Sequence, residues 1–324
     1  MALKLTFACG LYDQMVPLLA GRVKPDGIDL TYIAEDNPRV IFDKMGATQA
    51  YDLAEMSGTE IVTRHAAGGS PLLALPVFTS RVFRHSFIFI NKRAGIRTPK
   101  DLEGKRLGVP LYTMSAALWI RGMLADEYGV DFGTVRWLQG AIDHVGTHGS
   151  PTLPPGIRVA NLEQNTGDRP LWDLLVAGEI DALLSATVPE KYGTSDAVGR
   201  LFEDFAAEEQ RYYRKTGIFP IMHMVAMRRK THDEHPSAAR AMFDAFERSK
   251  HQAREVLYET GAPHAMLPFL PAYVEETRRV FGEHDPWTYG IEENRATLEA
   301  QQRYLHREGL IPKPFPIEEM FAPL

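Results

Sequence analysis

The densest group of reactive side chains is Arg81, Arg84 and His85, all within the stretch SRVFRHS. Guanidinium groups supply planar two-point donors that suit a carboxylate ligand. An imidazole beside them could move protons near neutral pH. In extended chain, alternation puts Arg81 and His85 on one face and Arg84 on the other, so at most two of the three reach one ligand. A second histidine, His223, stands in the apolar run TGIFPIMHMVAMRR. It is either a hydrogen-bonded core residue or a proton-transfer group. Phe219, shortly before it, either stacks on an aromatic ligand or packs in the core.

Tyr112, Thr113 and Ser115 occupy the turn GVPLYTMSA, between a strand and a helix. Free backbone amides there favour an anion, and a hydroxyl either adds to them or simply caps the helix. Arg121, two turns further along, reads as a surface residue. Tyr12, Asp13, Glu55 and Ser57 fall at the ends of early strands. Glu55 is a candidate base, set against the plainer reading of a solvated loop carboxylate. Two histidine pairs, His144/His148 and His232/His235, have ligand-like spacing but lack a third ligand, so no metal site is assigned. No glycine-rich phosphate loop and no G-x-S-x-G elbow occurs, and no organic cofactor is expected.

These residues must be positioned by an alternation of strands and helices. LKLTFA, IDLTYI, YDLAEMS, PLLALPVF, SFIFINK, RLGVP, VRWLQG and the run around His223 read as strands. Thr59 to Gly68 and Thr113 to Gly129 read as helices, each closed by glycine. Pro17 confines any helix over 13–19 to a first turn. Residues 141–157 read as a loop, and residues 236–306 as mainly helical, broken at GAPHAMLP and GEHDPWTYG. This pattern predicts an α/β fold with mainly parallel sheets. Two alternating blocks imply two lobes: residues 1–88 with 220–324, and residues 89–219. Extended crossings are expected near 86–105 and 214–224. Ligands of open α/β sheets bind beyond the carboxyl ends of strands, so two facing lobes would gather the candidate loops into one cleft.

The whole chain fits that reading. Its 324 residues suit a two-lobed unit, and a 44% hydrophobic content supports a sizeable core. A net charge of −6 speaks against a nucleic-acid partner. The one cysteine, Cys9, excludes an intrachain disulfide. The opening MALKLTFACG is too short in apolar residues for a secretory signal, and no apolar run suits a membrane span, so the expected compartment is the cytoplasm. Amphipathic stretches after Pro236 leave homo-oligomerisation open.

The phrases LEGKRLGVP and LLVAGEIDALLSA resemble the second lobe of type II periplasmic binding proteins. VFTSRVFRHSFIFIN, AGIRTPKDLEGKRLGVPLYTMSAALWIRGMLADEYGV, RYYRKTGIFPIMHMVAMRR and DPWTYGIEENRATLEA, in that order, resemble the 4,5-dihydroxyphthalate decarboxylase family. The stretch His144–Pro155 departs from it, being longer and richer in His and Pro. The resemblance implies a two-lobed binding-protein fold and loss of carbon dioxide from a dihydroxylated aromatic dicarboxylate. It implies His85 or His223 for proton transfer and Arg81 or Arg84 as carboxylate clamp, with acid and base roles interchangeable. A binding protein for a small aromatic acid is the alternative.

Overall fold

The computed structural model describes residues 2–149 and 161–324. The chain divides into two compact units. The first comprises residues 1–81, 221–298 and 315–324, and the second residues 82–220 and 299–314. The breaks thus fall at Arg81/Val82 and Pro220/Ile221. The stretch Glu299–Pro314 belongs with the second unit, although the sequence reading kept the whole tail with the first.

The first unit is built on strands β1 (Leu3–Cys9), β2 (Ile28–Ala34), β3 (Leu53–Ser57), β4 (Leu72–Ala74), β5 (Ser80–Arg81) and β12 (Ile221–Arg228). Their order is β2-β1-β3-β12-β4, with β5 also pairing β12. β1 runs parallel to β2 and β3, whereas β12 is antiparallel to β3, β4 and β5. The second unit carries β6 (Ile88–Asn91), β7 (Arg106–Val109), β8 (Arg136–Gln139), β9 (Leu162–Gln164), β10 (Ala182–Leu184) and β11 (Val198–Arg200). They are ordered β11-β6-β10-β7-β8-β9, with β6 antiparallel to both neighbours. The expectation of mainly parallel sheets therefore needs correcting: each sheet is mixed. In each, the strand that opens a returning segment, β12 or β6, runs against its neighbours.

Burial explains the choice of elements. β3 is buried along its whole length, as a strand flanked on both sides must be. Helix Gly58–Ala66 follows it directly and precedes Gly68 and Gly69, both at positive φ. Helix Ser115–Tyr128 ends at Gly129 with φ 65°, as its sequence predicts. Its cap position is Met114, so the expected hydroxyl cap is replaced by a residue with no capping side chain. In the second unit, Leu171, Trp172, Leu175, Ile180 and Leu183 pack with Phe89 in one apolar cluster. Of the expected loop 141–157, residues 141–149 are irregular, and the remainder lies outside the described residues. Among the described residues, no helix is long and apolar enough to cross a membrane.

Candidate active site

The chemistry concentrates at the carboxyl end of β1 and β3 in the first unit. In the β3–β12 ladder, His223 pairs with Ser57 and Val225 with Glu55. Side chains alternate along a strand, so Glu55, Ser57 and His223 lie on one face. There the Glu55 carboxylate, fully buried, faces the His223 ring, with Oε1 2.6 Å from Nδ1. The same oxygen accepts from Tyr12 Oη at 2.6 Å and from Thr79 Oγ1 at 3.3 Å. Oε2 accepts from the Gly10 N–H at 3.2 Å and faces the Cys9 thiol at 3.6 Å. The edge of the His223 ring packs against Phe42, centroids 4.9 Å apart.

Electrostatics follow from this geometry. Burial acts to raise the Glu55 pKa, but the charge of His223 and hydrogen bonds from His223, Tyr12 and Gly10 outweigh it and hold the carboxyl below its usual range. Burial, reinforced by the Glu55 charge, pushes the Cys9 thiol and the Tyr12 phenol up, so both stay neutral donors. An ionised carboxylate can only accept, so Nδ1 carries a proton towards it and Nε2 becomes the nitrogen that exchanges protons. The His223 side chain is 21% exposed, so the dyad reaches solvent through the histidine. A buried carboxylate that orients a partly exposed imidazole is the arrangement used for general acid–base work.

Two sequence expectations meet here: Glu55 and His223 are partners, and Tyr12 joins them. Ser57 lies alongside, hydrogen-bonded to Thr59 at 2.9 Å. The solvated-loop reading of Glu55 is corrected, since it sits inside β3 with no exposure. The expected Arg81/Arg84/His85 group is not one cluster. The extended stretch ends at Arg81, and His85 begins a 3-10 turn, so the alternation argument fails. Arg81, in the first unit, donates to Asn294 Oδ1 at 2.8 Å and to the Thr288 carbonyl at 3.3 Å. Arg84 and His85 belong to the second unit. Arg84 donates to the Ala186 carbonyl at 2.8 Å, and burial, opposed by Glu209, pulls its pKa down to about 9. His85 is fully buried between Phe202 and Tyr212, and neither ring nitrogen has a hydrogen-bond partner among the described residues. Burial lowers its pKa to about 4, so its ring is neutral at physiological pH.

The other expected contacts are also in the second unit. Tyr112 is buried, with its backbone N–H on Gln139 and its ring under the Arg121 guanidinium at 3.7 Å. Thr113 and Ser115 are buried beside it in sequence. Phe219 stacks on Phe83 with centroids 4.7 Å apart. Arg121, read as a surface residue, is 1% exposed and held by Glu308 through two hydrogen bonds. Among the described residues, no group of three or more His, Cys, Asp or Glu is arranged to hold a metal ion. Cys9, Gly10, Thr79 and Phe42 escaped the sequence reading. Cys9 and Gly10 carried a signal, as the last residue of a strand and the one after it.

Comparison with known proteins places the chain in a family. A 4,5-dihydroxyphthalate decarboxylase of Comamonas testosteroni is 36% identical over 99% of this chain and 97% of its own length. The chain belongs to the 4,5-dihydroxyphthalate decarboxylase family. A second such decarboxylase, of Pseudomonas putida, is 34% identical over 65% of this chain and 82% of its own length. The family model described as NMT1/THI5 like matches residues 23–146. Among solved structures, the periplasmic aliphatic sulphonate binding protein SsuA from Escherichia coli superposes with a TM-score of 0.53 at 13% identity, covering 99% of this chain and 92% of its own. Protein AF1704 from Archaeoglobus fulgidus gives 0.54 at 16% identity, over 95% and 98%. At such identities the likeness shows the fold alone, that of periplasmic binding proteins.

Proposed function

We propose that this protein is a carboxy-lyase that decarboxylates a dihydroxylated aromatic dicarboxylate such as 4,5-dihydroxyphthalate, giving protocatechuate and carbon dioxide. The observation that carries the reading is the Glu55–His223 dyad, a buried carboxylate at 2.6 Å from a partly exposed imidazole, in a chain whose relatives bear that enzyme's name. Loss of carbon dioxide from a plain benzoate is slow because the electron pair left behind has no sink. A hydroxyl para to the leaving carboxylate changes this by feeding electron density to the ring carbon that bears the group. That carbon can then be protonated, and the carbon–carbon bond returns its electrons to the ring as carbon dioxide departs. The protein's task is proton transfer at a fixed position, worth on the order of 10²–10⁴ in rate. His223 suits it and His85 does not, because the latter presents no nitrogen to solvent.

Purified protein incubated with 4,5-dihydroxyphthalate should evolve carbon dioxide and accumulate protocatechuate, followed by chromatography. The fold is shared with solute-binding proteins, so the same sample goes into a calorimeter. Tight binding of an aromatic acid with no gas release from any dihydroxyphthalate would reassign the chain as a binding protein.

A further inference from the structure

The net reaction proposed above consumes one proton per turnover: the ring carbon loses a carboxylate as carbon dioxide and gains a hydrogen. Any proton removed from a ring hydroxyl along the way is returned when the ring regains its aromaticity. A base therefore acts in passing, while a donor is required in every cycle. The groups around Glu55 answer to that requirement. Gly10 N–H, Tyr12 Oη–H, Thr79 Oγ1–H and the Cys9 thiol converge on one buried carboxylate together with His223 Nδ1. A carboxylate so surrounded by donors is stabilised as the anion. The anion lies 2.6 Å from Nδ1, so it can accept the proton on that nitrogen and leaves Nε2 as the ring's other proton site, on a side chain that is 21% exposed.

We infer that His223 is the donor that protonates the ring carbon, and that Cys9, Gly10, Tyr12 and Thr79 are positioning residues that keep Glu55 ionised behind it. In the step itself, the Nε2–H bond breaks and a carbon–hydrogen bond forms at the carbon bearing the carboxylate. The carbon–carbon bond then breaks with its electrons returning to the ring, carbon dioxide leaves, and neutral His223 regains a proton from water. Gly10 has a steric part as well: a Cβ there would meet the Tyr12 ring at 3.1 Å. The other titratable groups around the dyad are few. Tyr32 donates to the Gly10 carbonyl at 2.7 Å. On the Phe42 side, Arg39 lies over the Phe42 ring at 5.0 Å and pairs with Glu60 at 2.6 Å and Asp43 at 2.9 Å, with Arg64 near by. That group is balanced in charge, and Glu55 is the carboxylate hydrogen-bonded to the ring.

This inference rests on the decarboxylase reading, and the test separates the two. kcat/KM for 4,5-dihydroxyphthalate is measured against pH for the wild type, Glu55→Gln, Tyr12→Phe and His223→Gln, with folding checked by near-ultraviolet circular dichroism. A required donor gives a rate that is flat at low pH and falls as pH rises. Glu55→Gln should move that fall to lower pH, the direction expected on losing an opposite charge in contact. Tyr12→Phe should move it the same way by less. His223→Gln should abolish the limb and lower the rate about 10²–10⁴-fold, while binding of protocatechuate survives. A wild type that makes no carbon dioxide overturns the decarboxylase reading and this one with it. An active wild type whose rate falls on the acid side, whose alkaline limb is unmoved in both folded variants, or whose activity survives His223→Gln overturns the donor assignment alone. If Glu55→Gln does not fold, Tyr12→Phe and His223→Gln decide the question.

Discussion

At the scale of single residues, two histidines proposed for proton transfer have opposite fates. His85 follows an arginine in SRVFRHS, the densest group of reactive side chains in the sequence. It sits instead against two aromatic rings, neutral and without hydrogen-bond partners among the described residues. Its protonation is linked to stability, and the sign is definite. The folded pKa, about 4, lies below the roughly 6.5 of an unfolded histidine, so the unfolded chain binds the extra proton between those values. Stability from this residue is present above pH 6.5 and is lost as pH falls towards 4, by about 3 kcal/mol in all. His85→Leu should remove that part of the acid dependence, giving a smaller loss between pH 7 and pH 4.5 than the wild type in urea melts. It should leave carbon dioxide release within about twofold. Arg81 teaches a related lesson. Its bonds to Thr288 and Asn294 tie β5 to the 285–294 segment, where Trp287 also donates to the Phe78 carbonyl at 2.7 Å. The DPWTYGIEEN motif therefore braces the stretch that carries Thr79. Arg81→Lys cannot keep both acceptors in one plane, and denaturant titration should show a loss of about 1–2 kcal/mol.

At the scale of elements, much was legible. The strands around Cys9, Glu55, Val109, Leu138, Leu183 and His223 follow from apolar runs bounded by turn residues. So do the helices closed by Gly68 and Gly129. The misses have a common physical source, contact between residues far apart in sequence. Arg121 looks like a polar residue on a helix until Glu308, from the far end of the chain, covers it. The same helix carries Gly122, which propensity alone marks as a weakness worth about 1 kcal/mol relative to alanine. Here an alanine Cβ would clash with the Tyr304 ring. Gly122→Ala should therefore destabilise by about 1–3 kcal/mol despite its better helix propensity. Adding Tyr304→Leu should recover part of that loss, which thermal melts of the single and double variants will show. The dyad was half legible. Histidine in an apolar strand and glutamate between apolar neighbours each stood out, but their pairing needed the antiparallel register of β12 on β3.

At the scale of the whole molecule, the sequence showed two alternating blocks but not how often the chain passes between units. It leaves the first unit after Arg81, returns at Ile221, leaves again after Leu298, and ends in the first unit from Phe315. Those last residues are buried structure. Ile317, Met320, Phe321 and Ala322 are each at most 5% exposed, and the Ala322 N–H donates to the Ala74 carbonyl at 2.8 Å. Each large apolar side chain buried there contributes about 1.5–3 kcal/mol. A chain stopped at Pro314 should therefore lose most of its stability, seen as a collapse of soluble yield or a fall in melting temperature of more than about ten degrees. A melting temperature within a few degrees of the full chain would show that this segment is dispensable.

The place of β12, between β3 and β4 and supplying His223, has a consequence for how the protein is born. β4 is complete at Ala74, yet its partner strand starts only at Ile221. At about 5–20 residues per second, a ribosome takes roughly seven to thirty seconds to span that gap. Throughout it the nascent first unit exposes one edge of β3, with Glu55 already synthesised and its histidine not yet added to the chain. Among the described residues, the strands of the second unit, β6 to β11, are all synthesised in that interval, although that unit is complete only with residues 299–314. The dyad comes into being only when β12 takes its place between β3 and β4.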